Sequence, residues 1–98
     1  MKYSSYYPFF RNFANKTKFD IISALRAGPL SVTDIAKAIS MEQSKVSHNL
    51  RKLNHCHILN VKQKGRQRIY SLNNETVAPM LKIVEQHVKK YCGRVCKR

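Results

Sequence analysis

The chain has 98 residues, with 19 Lys or Arg against 5 Asp or Glu, and so a formal charge of +14 with His neutral. At this length folding buries about 60–65% of the unfolded surface, so residues 1–98 are expected to form one domain; two independent cores are excluded, and little apolar material remains to line a catalytic cleft. The hydrophobic share of 43% is too high for a disordered basic tail, and the longest apolar runs fall well short of the ~18–20 residues of a membrane span.

From Pro8 to Ala27 the residues Phe9, Phe10, Phe13, Ile21, Ile22, Ala24 and Leu25 recur at helical spacing. The polar run Asn15-Lys16-Thr17-Lys18 is placed to divide this segment into two helices, and Gly28-Pro29 ends it. Ser31 or Thr33 can cap a short helix carrying Ile35, Ala36 and Ile39 on one face. Ser40 then offers a turn before a helix over residues 42–54, whose apolar stripe is Val46, Leu50 and Leu53. At Ile58 the period shortens. Residues 58–62 and 68–72 read as strands, joined by the turn Gln63-Lys64-Gly65-Arg66-Gln67. Asn74 can cap a last helix over 75–91 with Val77, Leu81, Val84, Val88 and Tyr91 on one side; Pro79 sits early in it, where a missing N–H costs least.

Two short helices joined by a tight turn, then a hairpin, describe a mainly α winged helix-turn-helix. The reading motif is residues 31–54, the two-stranded β-hairpin wing 58–72, and the C-terminal helix 75–91. At about 100° per residue, the stripe Val46/Leu50/Leu53 leaves Ser44, His48, Arg51 and His55 on the opposite face, flanked by Lys45, Ser47 and Lys52. That face has no carboxylate and no large apolar side chain, so it can enter a major groove without setting negative charge against phosphate. Ser, His and Arg supply hydrogen bonds to base edges, Arg most strongly to guanine; Ser44, Lys45 and Lys52 can reach phosphates, which set register. The hairpin adds Lys62, Lys64, Arg66 and Arg68. Basic residues are most in excess here, with 7 basic and 1 acidic in residues 41–72, against 6 and 2 in each of residues 1–40 and 73–98.

The residues Phe13-Ala14, Ile21-Ile22-Ser23-Ala24-Leu25, Leu30-Ser31-Val32-Thr33-Asp34-Ile35-Ala36, Gln43-Ser44-Lys45-Val46-Ser47-His48-Asn49-Leu50, Leu53, and Gly65-Arg66 followed by Tyr70-Ser71-Leu72 resemble the ArsR/SmtB family of winged-helix repressors. The likeness runs over about residues 10–74. It implies a homodimer built from the first and last helices, a 42–54 helix that reads double-stranded DNA at an inverted-repeat operator, and repression relieved by an effector. Gln43 joins Ser44, Lys45, Ser47, His48, Arg51 and Lys52 as expected DNA contacts. One departure follows the reading helix: the family's usual Ala-Gly is Cys56-His57 here, and His tolerates positive φ better than most residues.

The same resemblance allows the family's metal positions to be checked. The thiolate motif of its arsenic, cadmium and lead sensors falls on Ser31-Val32-Thr33, and hydroxyls do not replace thiolates toward soft metals. The zinc and nickel positions fall on Asn74, Thr76, His87 and Lys90, of which only His87 is a ligand. No cofactor or metal is therefore expected. Cys92 and Cys96, four residues apart, with His87, remain as candidates for a soft-metal site or an oxidisable pair, against a reading in which they sense nothing. Nearby Lys89, Lys90, Arg94, Lys97 and Arg98 favour thiolate but oppose a bound cation. Cys56 is expected to pack inward, with His55 and His57 polar or facing DNA.

Other functions fit less well. The carboxylates Asp20, Asp34, Glu42, Glu75 and Glu85 form no paired motif, and no glycine-rich phosphate loop is present, so an enzyme is not expected. The aromatics gather at Tyr3, Tyr6, Tyr7, Phe9 and Phe10, leaving no strand face for stacking RNA bases. A DNA-coating architectural protein would suit the charge, whereas Ser and His on the reading face favour selectivity. A membrane role is not expected, because the last helix's apolar stripe fits a dimer interface. Residues 1–13 lack the apolar stretch and cleavage site of a signal peptide, so a cytoplasmic protein is expected.

Overall fold

The computed structural model describes residues 3–92, with side chains from Tyr6 onward. Helix α1 (Tyr3–Ala14) runs through Pro8, so it begins before the segment that periodicity marked. Proline forfeits one backbone bond inside the helix; on the following turn Asn12 Nδ2 donates to the Pro8 and Phe9 carbonyls at 3.2 and 3.1 Å. The expected break comes at Asn15, which is extended (φ −80°, ψ 123°) and accepts from Lys18 N at 3.0 Å, capping α2 (Lys16–Ala24). A 3₁₀ turn, Leu25–Ala27, leads to Gly28 at φ 146°, a backbone conformation that L side chains resist.

After strand β1 (Leu30–Ser31), the cap of α3 (Val32–Ile39) is Ser31, whose Oγ accepts from Asp34 N at 3.2 Å. Both α3 and the following helix α4 (Gln43–His55) end in a Schellman arrangement. In the first, Ser40 has φ 55° while Ser40 N and Met41 N donate to Lys37 O and Ala36 O. In the second, His57 has φ 59° while His57 N and Ile58 N donate to Asn54 O and Leu53 O. The Cys56-His57 departure is thus absorbed with His57 in the left-handed conformation.

Strands β2 (Leu59–Lys64) and β3 (Gln67–Leu72) pair antiparallel, and the wing belongs to a three-stranded sheet of order β1-β3-β2 rather than a hairpin alone. Leu30 faces Tyr70 and Ser31 faces Ile69; a strand of two residues is too short to show a period. The strands also extend further than expected, since Lys64 pairs with Gln67 and leaves only Gly65 and Arg66 in the turn. Gly65 at φ 63° supplies the positive angle that a type II′ hairpin requires at its first central position.

Helix α5 (Val77–His87) starts later than expected, and Asn73 rather than Asn74 prepares its start: Asn73 Oδ1 accepts from Glu75 N at 2.9 Å and Thr76 N at 3.3 Å. The helix gives way to a π-helical turn at Val88–Cys92. One core joins Ile21, Ile22 and Leu25 to Ile35, Ala36, Val46, Leu50, Leu53, Ile58, Leu59, Tyr70 and Val77. Val77 is the buried residue of α5. Exposed on α5 and its π turn are Ile83, Val84, Val88 and Tyr91, and on α1 and α2 are Tyr6, Tyr7, Phe10 and Phe19.

Candidate nucleic-acid interface

The outward face of α4 follows from its inward one. Val46, Leu50 and Leu53 are each 0% exposed, packed toward α2, α3 and β2. Helical geometry then turns Ser44, His48, Arg51 and His55 to solvent, and all four are exposed, as are Gln43, Lys45 and Lys52; Ser47 is half-buried. Asn49 Nδ2 closes on Lys45 O at 2.9 Å, turning that side chain back on its own helix. Glu42 lies at the amino end of α4, exposed and without a side-chain cap bond.

The wing holds its four basic residues exposed but does not gather them into one patch. Cross-strand partners share a face of the pleat, so Lys62 and Lys64 lie with Ile69 and Gln67, whereas Arg68 lies with Gln63 on the other side. Arg66 sits in the turn itself. Lys62 and Lys64 line a groove with Asp34 and Ser71, and Arg66 and Arg68 line another with Val32 and Thr33. Gln63 Nε2 donates to Gly65 O at 3.0 Å, tying the tip together.

The expectation that Cys56 packs inward is corrected: the residue is exposed. The Schellman turn sends Leu53 and Ile58 into the core, both 0% exposed, and Cys56 between them faces out. Of the metal candidates, His87 is exposed with its ring centroid 4.9 Å from that of Tyr91. Cys92 is half-buried at the end of the π turn, and Cys96 lies outside the described residues. Among the described residues no three His, Cys, Asp or Glu side chains gather to hold a metal. No described helix is long and apolar enough to cross a membrane.

Two basic residues near the α4 face were absent from the expected contacts. Arg11 of α1 and Lys18 of α2 share a cleft with His48 and Arg51. They precede His48 and Arg51 by some 30–40 residues in the chain, and no local pattern links them to α4.

A helix pair with a positive-φ turn, a second helix displaying a carboxylate-free polar face, and a basic β-wing define a winged helix-turn-helix protein. A family model described as bacterial regulatory protein, arsR family, matches residues 15–61. NmtR of Mycobacterium tuberculosis, an HTH-type transcriptional regulator, is 46% identical over 68 residues, 69% of this chain and 57% of the relative. A transcriptional repressor SmtB homolog of Synechocystis sp. is 32% identical over 82 residues, 84% of this chain and 62% of the relative. The solution structure of apo-NmtR superposes with a TM-score of 0.78 at 35% identity, covering 97% of this chain and 80% of that one. The chain belongs to the arsR family of bacterial regulatory proteins. Its matches span somewhat under two thirds of the two curated relatives' lengths.

Proposed function

We propose that this chain is a sequence-specific, DNA-binding transcriptional regulator of the cytoplasm, a homodimeric repressor rather than an enzyme. The observation that carries the reading is the division of α4: a stripe wholly buried on one side, and Ser44, His48 and Arg51 exposed on the other. Base edges are read by Gln43, Ser44, Ser47, His48 and Arg51, while Lys45, Lys52, Lys62, Lys64, Arg66 and Arg68 hold phosphates and set register. The reading motif at 31–54, the wing at 58–72 and the helices on either side act as one domain.

The dimer is supported by the apolar side chains left exposed on α1, α2, α5 and the π turn after it. Tyr7 is 60% exposed, Phe10 55%, Ile83 66% and Tyr91 63%, more apolar surface than scattered single residues would leave uncovered. A two-fold pair of α4 helices reads an inverted repeat, since operator symmetry mirrors protein symmetry. Repression in this chain does not use the family's thiolate positions, because Ser31 is spent capping α3 and Thr33 offers only a hydroxyl.

Selection of bound sequences from random duplex DNA tests the reading. The expected result is an inverted-repeat consensus; even recovery of all sequences would count against it. Repeating the selection with zinc and with reductant shows whether either shifts occupancy.

A further inference from the structure

We infer that the cleft between the α1–α2 pair and the carboxyl half of α4 is a second DNA-backbone site, taking a phosphate of the strand beside the groove that α4 enters. The inference rests on the reading of α4 as the DNA-reading helix. The cleft has a volume of about 470 Å³ and receives Arg11 and Lys18 from one side and His48, Arg51, Lys52 and His55 from the other. No carboxylate lines it. Among the described residues the ion pairs are Lys16–Asp20 and Arg26–Glu85, and neither engages Arg11, Lys18, Arg51 or Lys52. Positive groups collected in a cleft focus the field on whatever anion enters.

Three further observations favour a fixed polyanion. The floor is firm, because Asn12 is only 9% exposed and its amide is held by the α1 carbonyls. The cleft runs on into a second one that shares Arg11, Asn12, Lys18 and Cys56 and reaches Asn15, the cap of α2. The amino end of α2 therefore adds its partial positive charge at the rim. The third is length. With 13 residues α4 is about 20 Å long, and a B-DNA major groove is about 12 Å wide. Where α4 crosses the groove, its base-reading residues end at Arg51 and its last turn, with Lys52, His55 and the cleft, meets the strand at the groove wall.

Binding of the full chain and of the Arg11→Gln/Lys18→Gln variant is measured on the selected operator and on random duplex over a salt series. Each lost phosphate contact lowers the slope of log K against log salt by about 0.9, so with one phosphate per cleft and two clefts in the dimer the variant is expected to lose about two units of slope, with equal affinity losses on both duplexes and an unchanged specificity ratio. The charge-keeping Arg11→Lys/Lys18→Arg variant is expected to keep the slope, which separates charge from packing; single Gln variants serve if the double one melts early. An unchanged slope in the folded Gln variant overturns the cleft while leaving α4 as the reader. Binding of inorganic phosphate at the cleft without any change in the DNA slope overturns it too. Failure of the wild-type chain to bind any duplex removes the reading on which the cleft rests.

Discussion

Asn73 Nδ2 donates to the carbonyl oxygen of His57 at 2.9 Å. That bond joins the turn that ends α4 to the segment that starts α5. The same side chain accepts from Glu75 N and Thr76 N, and Asn73 N donates to Ile58 O at 3.0 Å. One residue thus holds the left-handed turn after α4, the end of the wing and the amino end of α5 in one arrangement.

Asn73→Ala removes the donor to His57 and the acceptor before α5 together. The expected cost is about 1–2 kcal/mol, the range of a lost helix cap or a lost hydrogen bond. Denaturant unfolding monitored by circular dichroism measures it. A midpoint equal to wild type would show that solvent replaces these bonds without loss.

His57 has φ 59°, where side chains are strained and a β-branched one most of all. His57→Gly is expected to match or exceed wild-type stability by up to about 1 kcal/mol, because relief of strain is partly offset by the looser unfolded chain. His57→Val is expected to lose at least about 1 kcal/mol. The order Gly, His, Val in thermal midpoints is the test, and Val melting above Gly would contradict the left-handed turn.

Arg51 and Lys64 are expected to fail differently. Arg51→Ala costs about 1–3 kcal/mol on the consensus operator and relaxes preference at the base pair it reads. Lys64→Ala weakens every duplex alike and lowers the salt slope by about one unit per lost phosphate contact, about two for the dimer. Competition titrations against single-base operator variants distinguish the two, and an equal loss for Arg51→Ala on operator and random duplex would move Arg51 to the backbone contacts.

Ile83 is 66% exposed on α5. With Ile83→Asp, a charge would have to be buried in any interface formed there, so a shift from dimer to monomer is expected in sedimentation at micromolar concentration. The monomer keeps its fold, since Ile83 lies outside the core. Operator affinity falls as the second half-site is lost. A variant that sediments as wild type would place the interface elsewhere.

Much of this was legible from local pattern. The 4-and-3 spacing of Val46, Leu50 and Leu53 determined which side of α4 goes inward, and with it the exposure of Ser44, His48 and Arg51. The break at Asn15 was readable too, because a cap is decided by the residue that occupies it, whereas the positive φ at His57 was expected from the family's usual glycine at that position. Other features escaped. Pro8 reads as a helix start, yet α1 passes through it. The two residues of β1 become a strand only because β3 lies beside them. Asn73 and Asn74 are indistinguishable by type, and the nearness of His57 selects Asn73.

Periodicity and charge act between neighbours along the chain, so the amino-acid sequence alone determined the order of the helices and the hairpin, the buried stripe of α4 and the basic wing. Tertiary structure alone decided that Lys62 and Lys64 part from Arg68 across the pleat, that Cys56 faces out, and that Arg11 and Lys18 stand beside Arg51. Those relations depend on where the packing of α2 against α4 and the register of β2 against β3 bring distant residues together, and no spacing in the chain encodes that distance.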